Sequence, residues 1–316
     1  MNTEALNSLL TYTHLIKSKA LDLGFDACGI SRAGRLEDDS ERLRSWLDSG
    51  YHGTMEYMAN HFEKRVNPAE LVEGARSVVS VLLNYHTNLK QVDSQAPVIS
   101  SYALGKDYHF VLKERLLKLL AYIQTDLAPC EGRVFTDSAP LLEKALAKEA
   151  GLGWIGKHSL LIHPQMGSFL FIGELVLDLE LTYDEPFGNS LCGSCSRCMD
   201  SCPTSAIIAP SLLDANKCIS YLTIETKIDI PEALTSRLSS RLVGCDICQQ
   251  VCPWNSKAKQ NDVPEFRPKP ELLKMTALEW QNLDRSTFKR LFKGSAVERT
   301  GFARMKRTLN HLFNDK

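Results

Sequence analysis

The cysteines constrain this chain most strongly, because eight of its ten lie between positions 192 and 252. The first run reads Cys192-Gly-Ser-Cys195-Ser-Arg-Cys198-Met-Asp-Ser-Cys202-Pro203. The second run reads Cys245-Asp-Ile-Cys248-Gln-Gln-Val-Cys252-Pro253. These spacings are typical of bacterial ferredoxins that carry two iron–sulfur clusters. The sequence therefore predicts a ferredoxin-like domain that binds two 4Fe-4S clusters.

The order of the cysteines also predicts which cluster each one binds. A CxxCxxC loop supplies three thiolates to one cluster, and the cysteine before the proline ligates the other cluster. The first set is then Cys192, Cys195, Cys198 and Cys252, and the second is Cys202, Cys218, Cys245 and Cys248. Cys218 departs from a plain ferredoxin, because 26 residues separate it from Cys245. We expect this insertion, residues 219–244, to form a wall beside whatever the clusters serve.

Structural zinc and disulfide bonds are the alternatives for these cysteines. Zinc sites usually pair two short CxxC knuckles across a longer spacer, and three cysteines within residues 192–198 fit that pattern poorly. Disulfide bonds require export, but the N-terminal residues lack the basic start and apolar core of a signal peptide. Because the sequence has no run of about 18 apolar residues, we also expect no membrane span. A cytoplasmic location is therefore expected.

The charge of the chain is unevenly distributed. Its 316 residues have ordinary globular proportions, with 44% hydrophobic and 24% charged residues. Residues 257–316 carry 14 Lys and Arg against 7 Asp and Glu, a net of +7, which leaves −8 for the first 256 residues of a chain whose net charge is −1. A basic segment of this kind indicates a polyanionic partner. A solvated helix face is the alternative, and charge alone favours it.

The remaining pattern predicts an α/β fold with mixed strand pairing. Strands are predicted at 25–30, 77–85 and 133–136, with a further strand pair formed by 159–163 and 168–177. Helices are predicted at 4–23, 41–49, 55–65, 141–150 and 298–313, with a long one that ends near 127. The proline-rich segment 261–270 is typical of a linker.

Two short motifs match known cofactor-binding patterns only in part. Gly151-Leu-Gly153-Trp-Ile-Gly156 has the form GxGxxG, but a helix precedes it and a strand follows it, the reverse of a dinucleotide-binding fold. Asp107-Tyr-His109 begins like the DxHxxG loop of some corrinoid enzymes, but Leu112 occupies the glycine position. We assign neither a dinucleotide site nor a cobalt ligand.

Asp137 follows the predicted strand 133–136 and precedes a helix. The residues alone favour a helix N-cap at this position, with Ser138 an equal candidate. A catalytic acid is the alternative.

Further motifs occur in order along nearly the whole chain. They are Gly105-Lys-Asp-Tyr-His109, Thr136-Asp137-Ser138, Gly153-Trp-Ile-Gly-Lys157, Cys218-Ile-Ser-Tyr-Leu-Thr223, Gly244-Cys-Asp-Ile-Cys248 and Val251-Cys-Pro-Trp-Asn255. Together with the cysteine runs, they make the sequence resemble the epoxyqueuosine reductase family. Members of that family are cobalamin and iron–sulfur enzymes of the last step of queuosine synthesis on tRNA.

The resemblance implies three parts. Residues 1–182 would form an α/β (α+β) cobalamin-binding catalytic domain of the nitroreductase-like kind. Residues 183–256 would form the ferredoxin-type domain, and residues 257–316 a basic helical C-terminal segment. Many family members carry a further C-terminal helical-repeat extension, and we expect this protein to be a short form without it.

The resemblance also implies roles for individual residues. Asp137 falls on the family's proton donor, which reverses the preference for a helix cap, and we expect burial beside a corrin to raise its pKa. The positions expected to face cobalamin are Arg65, Ser100, Asp137, Leu161, Ile172, Ser220, Cys245 and Asp246. Those expected to contact RNA phosphates are Lys227, Arg299, Lys306 and Arg307.

The implied function is the reduction of epoxyqueuosine to queuosine at the wobble position of tRNA. The expected partners are the tRNA anticodon stem-loop and a soluble low-potential electron donor, and the expected state is a monomer. Two alternatives remain open. A corrinoid reductase of a small molecule, such as a dehalogenase, would need no basic RNA surface. An electron-transfer ferredoxin would need no large N-terminal domain.

Overall fold

The computed structural model describes residues 3–314. Its strands are β1 (Ala27–Arg32), β2 (Ser77–Asn84), β3 (Val98–Ile99), β4 (Gly132–Phe135), β5 (Trp154–Ile155), β6 (Leu161–Ile162), β7 (Leu170–Leu177), β8 (Ile207–Ala209), β9 (Leu212–Leu213) and β10 (Arg241–Val243). Its helices are α1 (Thr3–Asp22), α2 (Glu37–Asp48), α3 (Phe62–Val66), α4 (Tyr108–Tyr122), α5 (Glu143–Glu149), α6 (Arg197–Asp200), α7 (Ile219–Ile224), α8 (Glu232–Thr235), α9 (Ile247–Gln250), α10 (Pro270–Lys274), α11 (Ala277–Gln281), α12 (Arg285–Phe292) and α13 (Val297–Asn314).

A four-stranded antiparallel sheet in the order β1-β2-β7-β4 forms the centre of the N-terminal part. Every residue of β2 is buried, because apolar and small residues occupy both alternating sets of its side chains and both faces of the sheet are covered. The sheet is entirely antiparallel, whereas the predicted mixed pairing is found only in the separate parallel pair of β3 and β10.

Helices cover both faces of this sheet. On one face, α1 and α4 bury a core that includes Ile16, Leu112 and Phe171. On the other face α5 packs closely, since a Cβ atom on Gly29 would lie 2.1 Å from the carbonyl oxygen of Ala150. This layering brings the end of β4 and the first turns of α4 and α5 to one place.

The C-terminal helices share a core with earlier parts of the chain. Ile99, Leu242, Trp280 and Phe292 all belong to one buried cluster, and β10 of the insertion pairs with β3. Residues 272–313 therefore pack with the insertion and with residues 96–104, and not as a detached tail.

The predicted linker at 261–270 is wrong. Val263 and Phe266 are buried in the core that α1 and α4 form. A Cβ atom on Gly105 would lie 2.5 Å from the Cα of Phe266, so the glycine allows the proline-rich segment to lie directly against the loop that leads into α4. Proline fixes the backbone of such a segment without making it a free linker.

Two local predictions also differ from the structure. β6 pairs with β5, and only an isolated bridge from His163 to Gly167 joins the strand pair expected at 159–177. The helix expected at 55–65 is interrupted, because His61 has a left-handed backbone at φ 55°. Within residues 3–314, no helix is both long and apolar enough to cross a membrane.

Candidate active site

The eight clustered cysteines are all unpaired thiols, as are Cys28 and Cys130. Cys198 lies on α6 and Cys248 on α9, two short helices that contact each other. Within residues 3–314, no three His, Cys, Asp or Glu side chains are grouped closely enough to hold a single metal ion, whose thiolate ligands would lie about 2.3 Å from it.

The electrostatic neighbours of the thiols fall mainly within the two predicted sets. In the first set, burial raises the pKa of Cys252, and the nearby thiols of Cys192 and Cys195 raise it further. In the second set, burial raises the pKa of Cys248, and the thiols of Cys245 and Cys218 add to this effect. Such crowding of thiols favours a bound cation, because a metal centre stabilises the thiolate form.

Hydrogen-bond donors already point at several of these sulfur atoms. The indole Nε1–H of Trp154 donates to Cys192 Sγ at 3.5 Å, and the backbone N–H of Ala206 donates to Cys202 Sγ at 3.2 Å. Backbone N–H groups also reach the sulfurs of Cys198, Cys218, Cys245 and Cys252. Donors of this kind stabilise cluster thiolates and tune their potential, so the residues present fit two iron–sulfur clusters.

A second group of polar side chains surrounds Asp137, just after β4. The hydroxyl of Tyr108 donates to Asp137 Oδ2, and His109 Nε2 lies 3.4 Å from the same oxygen. The other ring nitrogen, His109 Nδ1, lies 2.7 Å from Asp107 Oδ1. The backbone N–H of Asp137 donates to Glu143 Oε1 at 2.5 Å. The Asp137 side chain remains 48% exposed, so it can reach a ligand.

The charges in this group decide where its protons lie. Burial acts to raise the pKa of Asp137, but hydrogen bonds from His109 and Tyr108 outweigh burial and hold the pKa below its ordinary value. The expectation that the pKa of Asp137 is raised is therefore wrong. Burial acts to lower the pKa of His109, but Asp107 and Asp137 raise it to about 9. Burial and the charge of Asp137 raise the pKa of Glu143 to about 8. Near pH 7, His109 and Glu143 hold the protons.

The residues expected to face cobalamin lie in three places. Arg65 on α3 is buried beside the Asp137 group, where the charge of Glu143 reaches it. Leu161 and Ile172 pack together beneath α5.

The third place joins β3 to the second cysteine run. The hydroxyl of Ser100 donates to the Asp246 carboxylate, and the backbone N–H of Ser101 donates to Asp246 Oδ2 at 2.7 Å. Cys245 precedes Asp246, and the backbone N–H of Ser220 donates to the sulfur of Cys218 in the same cysteine set. The charges of both Asp246 and Asp137 reach Tyr102, which therefore lies between the cysteine loop and the acid group.

Several buried polar atoms near these residues have no partner in the protein. They are Arg65 Nε, Thr136 Oγ1, His158 Nε2 and Ser159 Oγ. Since an unpaired buried polar atom is costly, these atoms indicate a ligand that offers several hydrogen-bonding groups. A corrin bearing amide side chains fits that requirement.

The sequence did not single out the full acid group. His109, which the sequence analysis leaves without a role, lies at the start of α4, and its ring contacts Asp137. Glu143 belongs to none of the sequence motifs, and Tyr108 lies within Gly105-Lys-Asp-Tyr-His109 but has no role assigned to it there. The Asp-x-His spacing is the sequence signal that could have identified His109 as part of this group. Asp107 caps α4 and contacts the imidazole of His109, two residues further along the chain.

The four predicted RNA contacts have different surroundings. Arg299 Nη2 donates to Glu225 at 2.9 Å, and its charge also reaches Asp137. Lys306 Nζ donates to the carbonyl of Gln281 at 2.8 Å, and Lys227 is exposed. Arg307 donates to the carbonyl groups of Leu222, Thr226 and Ile228. These backbone acceptors hold Arg307 in place, and its assignment as a phosphate contact stays a prediction.

An open groove runs along the last two helices. Its two parts, of about 410 and 540 Å³, meet where Gly301 breaks α13 with a backbone at φ 78° and ψ 154°. The lining includes Arg285, Lys289, Arg299, Phe302, Arg304 and Lys306. The guanidinium of Arg285 lies 5.8 Å from the ring centre of Phe302.

The fold and the two sites define a two-cluster iron–sulfur oxidoreductase with a separate acid group. Residues 191–255 match the family described as "4Fe-4S double cluster binding domain", so two 4Fe-4S clusters are cofactors of this chain. Residues 65–138 match the family described as "Epoxyqueuosine reductase QueG, DUF1730".

The chain belongs to the epoxyqueuosine reductase family, as its motifs predicted. It is 46% identical to the epoxyqueuosine reductase of Cellulophaga algicola, over 97% of this chain and 100% of that one. It is 50% identical to that of Leadbetterella byssophila, over 94% and 97% of the two chains. A crystal structure of an epoxyqueuosine reductase with an epoxyqueuosine-modified tRNA-Tyr stem loop superposes with a TM-score of 0.87 at 29% identity, covering 96% of this chain and 80% of that chain. The predicted fold class is confirmed.

Proposed function

We propose that this protein reduces epoxyqueuosine to queuosine in tRNA. The reaction converts an epoxide to an alkene, consumes two electrons and two protons, and releases water. The observation that carries the proposal is the hydrogen-bonded Asp137 group, which supplies an acid in the same molecule as the two cysteine sets. Membership of the family gives the substrate class.

Cobalamin is the second cofactor in this proposal. When bound, it supplies a strongly reducing cobalt centre that receives single electrons from the clusters. Arg65, Ser100, Leu161, Ile172, Ser220, Cys245 and Asp246 remain the residues proposed to hold it. The unpartnered polar atoms Arg65 Nε, Thr136 Oγ1 and His158 Nε2 would hydrogen-bond to its amide groups.

Asp137 is the proposed proton donor to the epoxide oxygen. An alkoxide is a poor leaving group, so an acid is required as the carbon–oxygen bond breaks. Burial is already the largest single influence on the Asp137 pKa. Covering the exposed carboxyl group with substrate would strengthen that influence and favour the protonated form.

The tRNA stem-loop is proposed to lie along the groove of α12 and α13. Phosphate groups would meet Lys227, Arg299 and Lys306, together with Arg285 and Lys289 of the groove lining, because basic side chains position RNA through its backbone. Phe302 would offer an aromatic surface to an unstacked loop base. The proposal also includes a soluble electron donor, a monomeric state and a cytoplasmic location.

Nucleoside mass spectrometry of epoxyqueuosine-containing tRNA tests this function. Protein purified without oxygen, with clusters reconstituted and cobalamin and a chemical reductant added, is expected to convert epoxyqueuosine to queuosine. A corrinoid reductase of small molecules would bind cobalamin but leave the tRNA unchanged. An electron-transfer protein would hold iron but bind no cobalamin. Either result would contradict the proposal.

A further inference from the structure

The proposed reaction needs more protons than one carboxyl group carries. Both protons end on the epoxide oxygen, which leaves as water, and Asp137 can deliver only one at a time. While substrate covers its side chain, Asp137 has to regain a proton from within the protein. This requirement rests on the proposed function.

Asp107, His109 and Asp137 form a continuous line of close polar contacts. Asp107 Oδ1 lies 2.7 Å from His109 Nδ1, and His109 Nε2 lies 3.4 Å from Asp137 Oδ2. The imidazole stacks on Tyr108 with ring centres 4.1 Å apart. Asp107 also accepts the backbone N–H of His109 at 3.0 Å as the cap of α4. The ring is thereby oriented with one nitrogen toward each carboxylate.

We propose that Asp107 and His109 form a proton relay that reprotonates Asp137 between the two protonations of the epoxide oxygen. The protonated imidazole passes its Nε2 proton to Asp137 Oδ2, and Asp137 passes that proton to the departing oxygen. The Nδ1 proton stays on the imidazole, held by Asp107. No electron moves in these steps, and His109 regains a proton from solvent. His109 acts through Asp137 and is therefore a positioning residue.

The surrounding charges keep a proton on His109, and the strongly basic departing oxygen drives the transfer of that proton through Asp137. The groups whose charges reach Asp137 or His109 are Tyr57, Tyr102, Asp107, Tyr108, Glu143, Lys144 and Arg299. The pKa of His109, raised to about 9, keeps the imidazole charged near neutral pH. Glu143 also holds a proton, but its hydrogen bond is to the backbone N–H of Asp137. The Tyr108 hydroxyl and the His109 imidazole both face Asp137 Oδ2. Burial and the charge of Asp137 raise the pKa of Tyr108, so His109 is the one of the two that carries a positive charge near pH 7.

The test uses two variants of the reconstituted holoenzyme. His109→Gln keeps a polar side chain but cannot carry a transferable proton, so single-turnover conversion at pH 7 is expected to fall about 100-fold, at the lower end of general-acid contributions. Iron content and cobalamin affinity should not change. With His109→Ala, added imidazole should restore part of the rate.

Asp107→Asn provides a readout that does not depend on turnover. The amide oxygen can still cap α4, but the negative charge is removed. The NMR titration of His109, assigned by its disappearance in His109→Gln, should move from about 9 toward the ordinary value of about 6.5. The alkaline limb of the pH–rate profile should move in the same direction. His14→Gln, an exposed position on α1, is the matched control.

The possible outcomes separate two kinds of failure. If the wild-type enzyme is active and His109→Gln is equally active, solvent reprotonates Asp137 directly and the proposal of a relay is wrong. A rate loss that is equal at every pH and insensitive to imidazole would mark a purely structural role and also overturn it. If wild-type enzyme itself leaves epoxyqueuosine unchanged, the proposed function fails instead.

Discussion

Asp137 combines an acidic side chain with a backbone that few residues adopt. Its φ of 55° lies in the left-handed region, which is uncommon for residues other than glycine but is tolerated best by Asn and Asp. The hydrogen bond from its N–H to Glu143 Oε1 holds this conformation at 2.5 Å. The position therefore suits a residue that turns the chain after β4 while presenting a carboxyl group.

Glu143 should make the stability of the protein depend on pH. Because its folded-state pKa of about 8 lies above the ordinary 4.5, the folded state binds this proton more tightly than the unfolded state does. Its contribution is complete below pH 4.5 and disappears as the pH rises through 8. The pKa of His109 is also raised, to about 9. Its contribution to the stability of the folded state is therefore likewise lost as the pH rises.

We therefore expect the thermal midpoint of wild-type protein to fall between pH 5 and 9, by the linkage of proton binding to folding. The fall should be smaller in Glu143→Gln. Circular dichroism melting at a series of pH values measures it, with Glu149→Gln on the same helix as the control. Equal pH slopes in wild type and Glu143→Gln would show that Glu143 does not hold its proton in the folded state.

At the scale of elements, Gly244 connects β10 to the second cysteine run. Its φ is 71°, and a Cβ atom there would lie 2.6 Å from the Cβ of Ser100. Gly244→Ala should therefore push the Cys245 loop, which includes Asp246, away from Ser100. We expect loss of the second cluster only, so that iron content falls by about half.

Gly50→Ala is the control for this variant. Gly50 also has a positive φ, 68°, but a Cβ atom at this position would meet no other atom within 4 Å. It carries the same backbone strain, about 1 kcal/mol, without the collision. If both variants keep full iron by elemental analysis, the close approach of Gly244 to Ser100 does not hold the second cluster loop.

Phe266 should contribute strongly to stability although it lies in a proline-rich segment. It is 6% exposed, and its ring centre lies 5.1 Å from that of Phe171. Phe266→Ala should lower the free energy of unfolding by about 3 kcal/mol, whereas Phe110→Ala, at 61% exposure, should change it little. Denaturant unfolding of both variants measures the difference, and equal losses would contradict this packing.

The sequence predicted elements whose signal is local. The uninterrupted run Ser77–Asn84 indicated a buried strand, and the cysteine spacing indicated the iron–sulfur domain. It could not place Phe266, because proline content resembles a linker whether or not an aromatic neighbour is buried. Likewise, no local pattern reveals that Glu143 accepts a hydrogen bond from Asp137, since only the meeting of β4 with α5 creates that contact.

At the scale of the whole molecule, the basic C-terminal segment should make the proposed binding of RNA depend on salt. Removal of one basic side chain that binds a phosphate should reduce the slope of log affinity against log salt concentration by about 0.7 to 0.9. We expect the double variant Arg285→Gln and Lys289→Gln to lower that slope by about twice this amount, because both residues line the groove of α12 and α13.

The control is the double variant Lys113→Gln and Lys118→Gln, two exposed lysines on α4. It removes the same total charge from another face of the protein. Filter binding or fluorescence anisotropy with an anticodon stem-loop at several salt concentrations gives the slopes. Equal slopes for the two double variants would mean that the groove makes no specific contribution.

The central claim is that Asp137 protonates the epoxide oxygen of a tRNA substrate. The most direct measurement is single-turnover conversion of epoxyqueuosine tRNA by wild-type and Asp137→Asn enzyme, each with iron and cobalamin content determined. Asparagine tolerates the left-handed backbone but has no acidic proton, so we predict conversion by the wild type and a loss of about 100-fold or more in the variant. Undiminished conversion by Asp137→Asn with both cofactors bound would contradict the account.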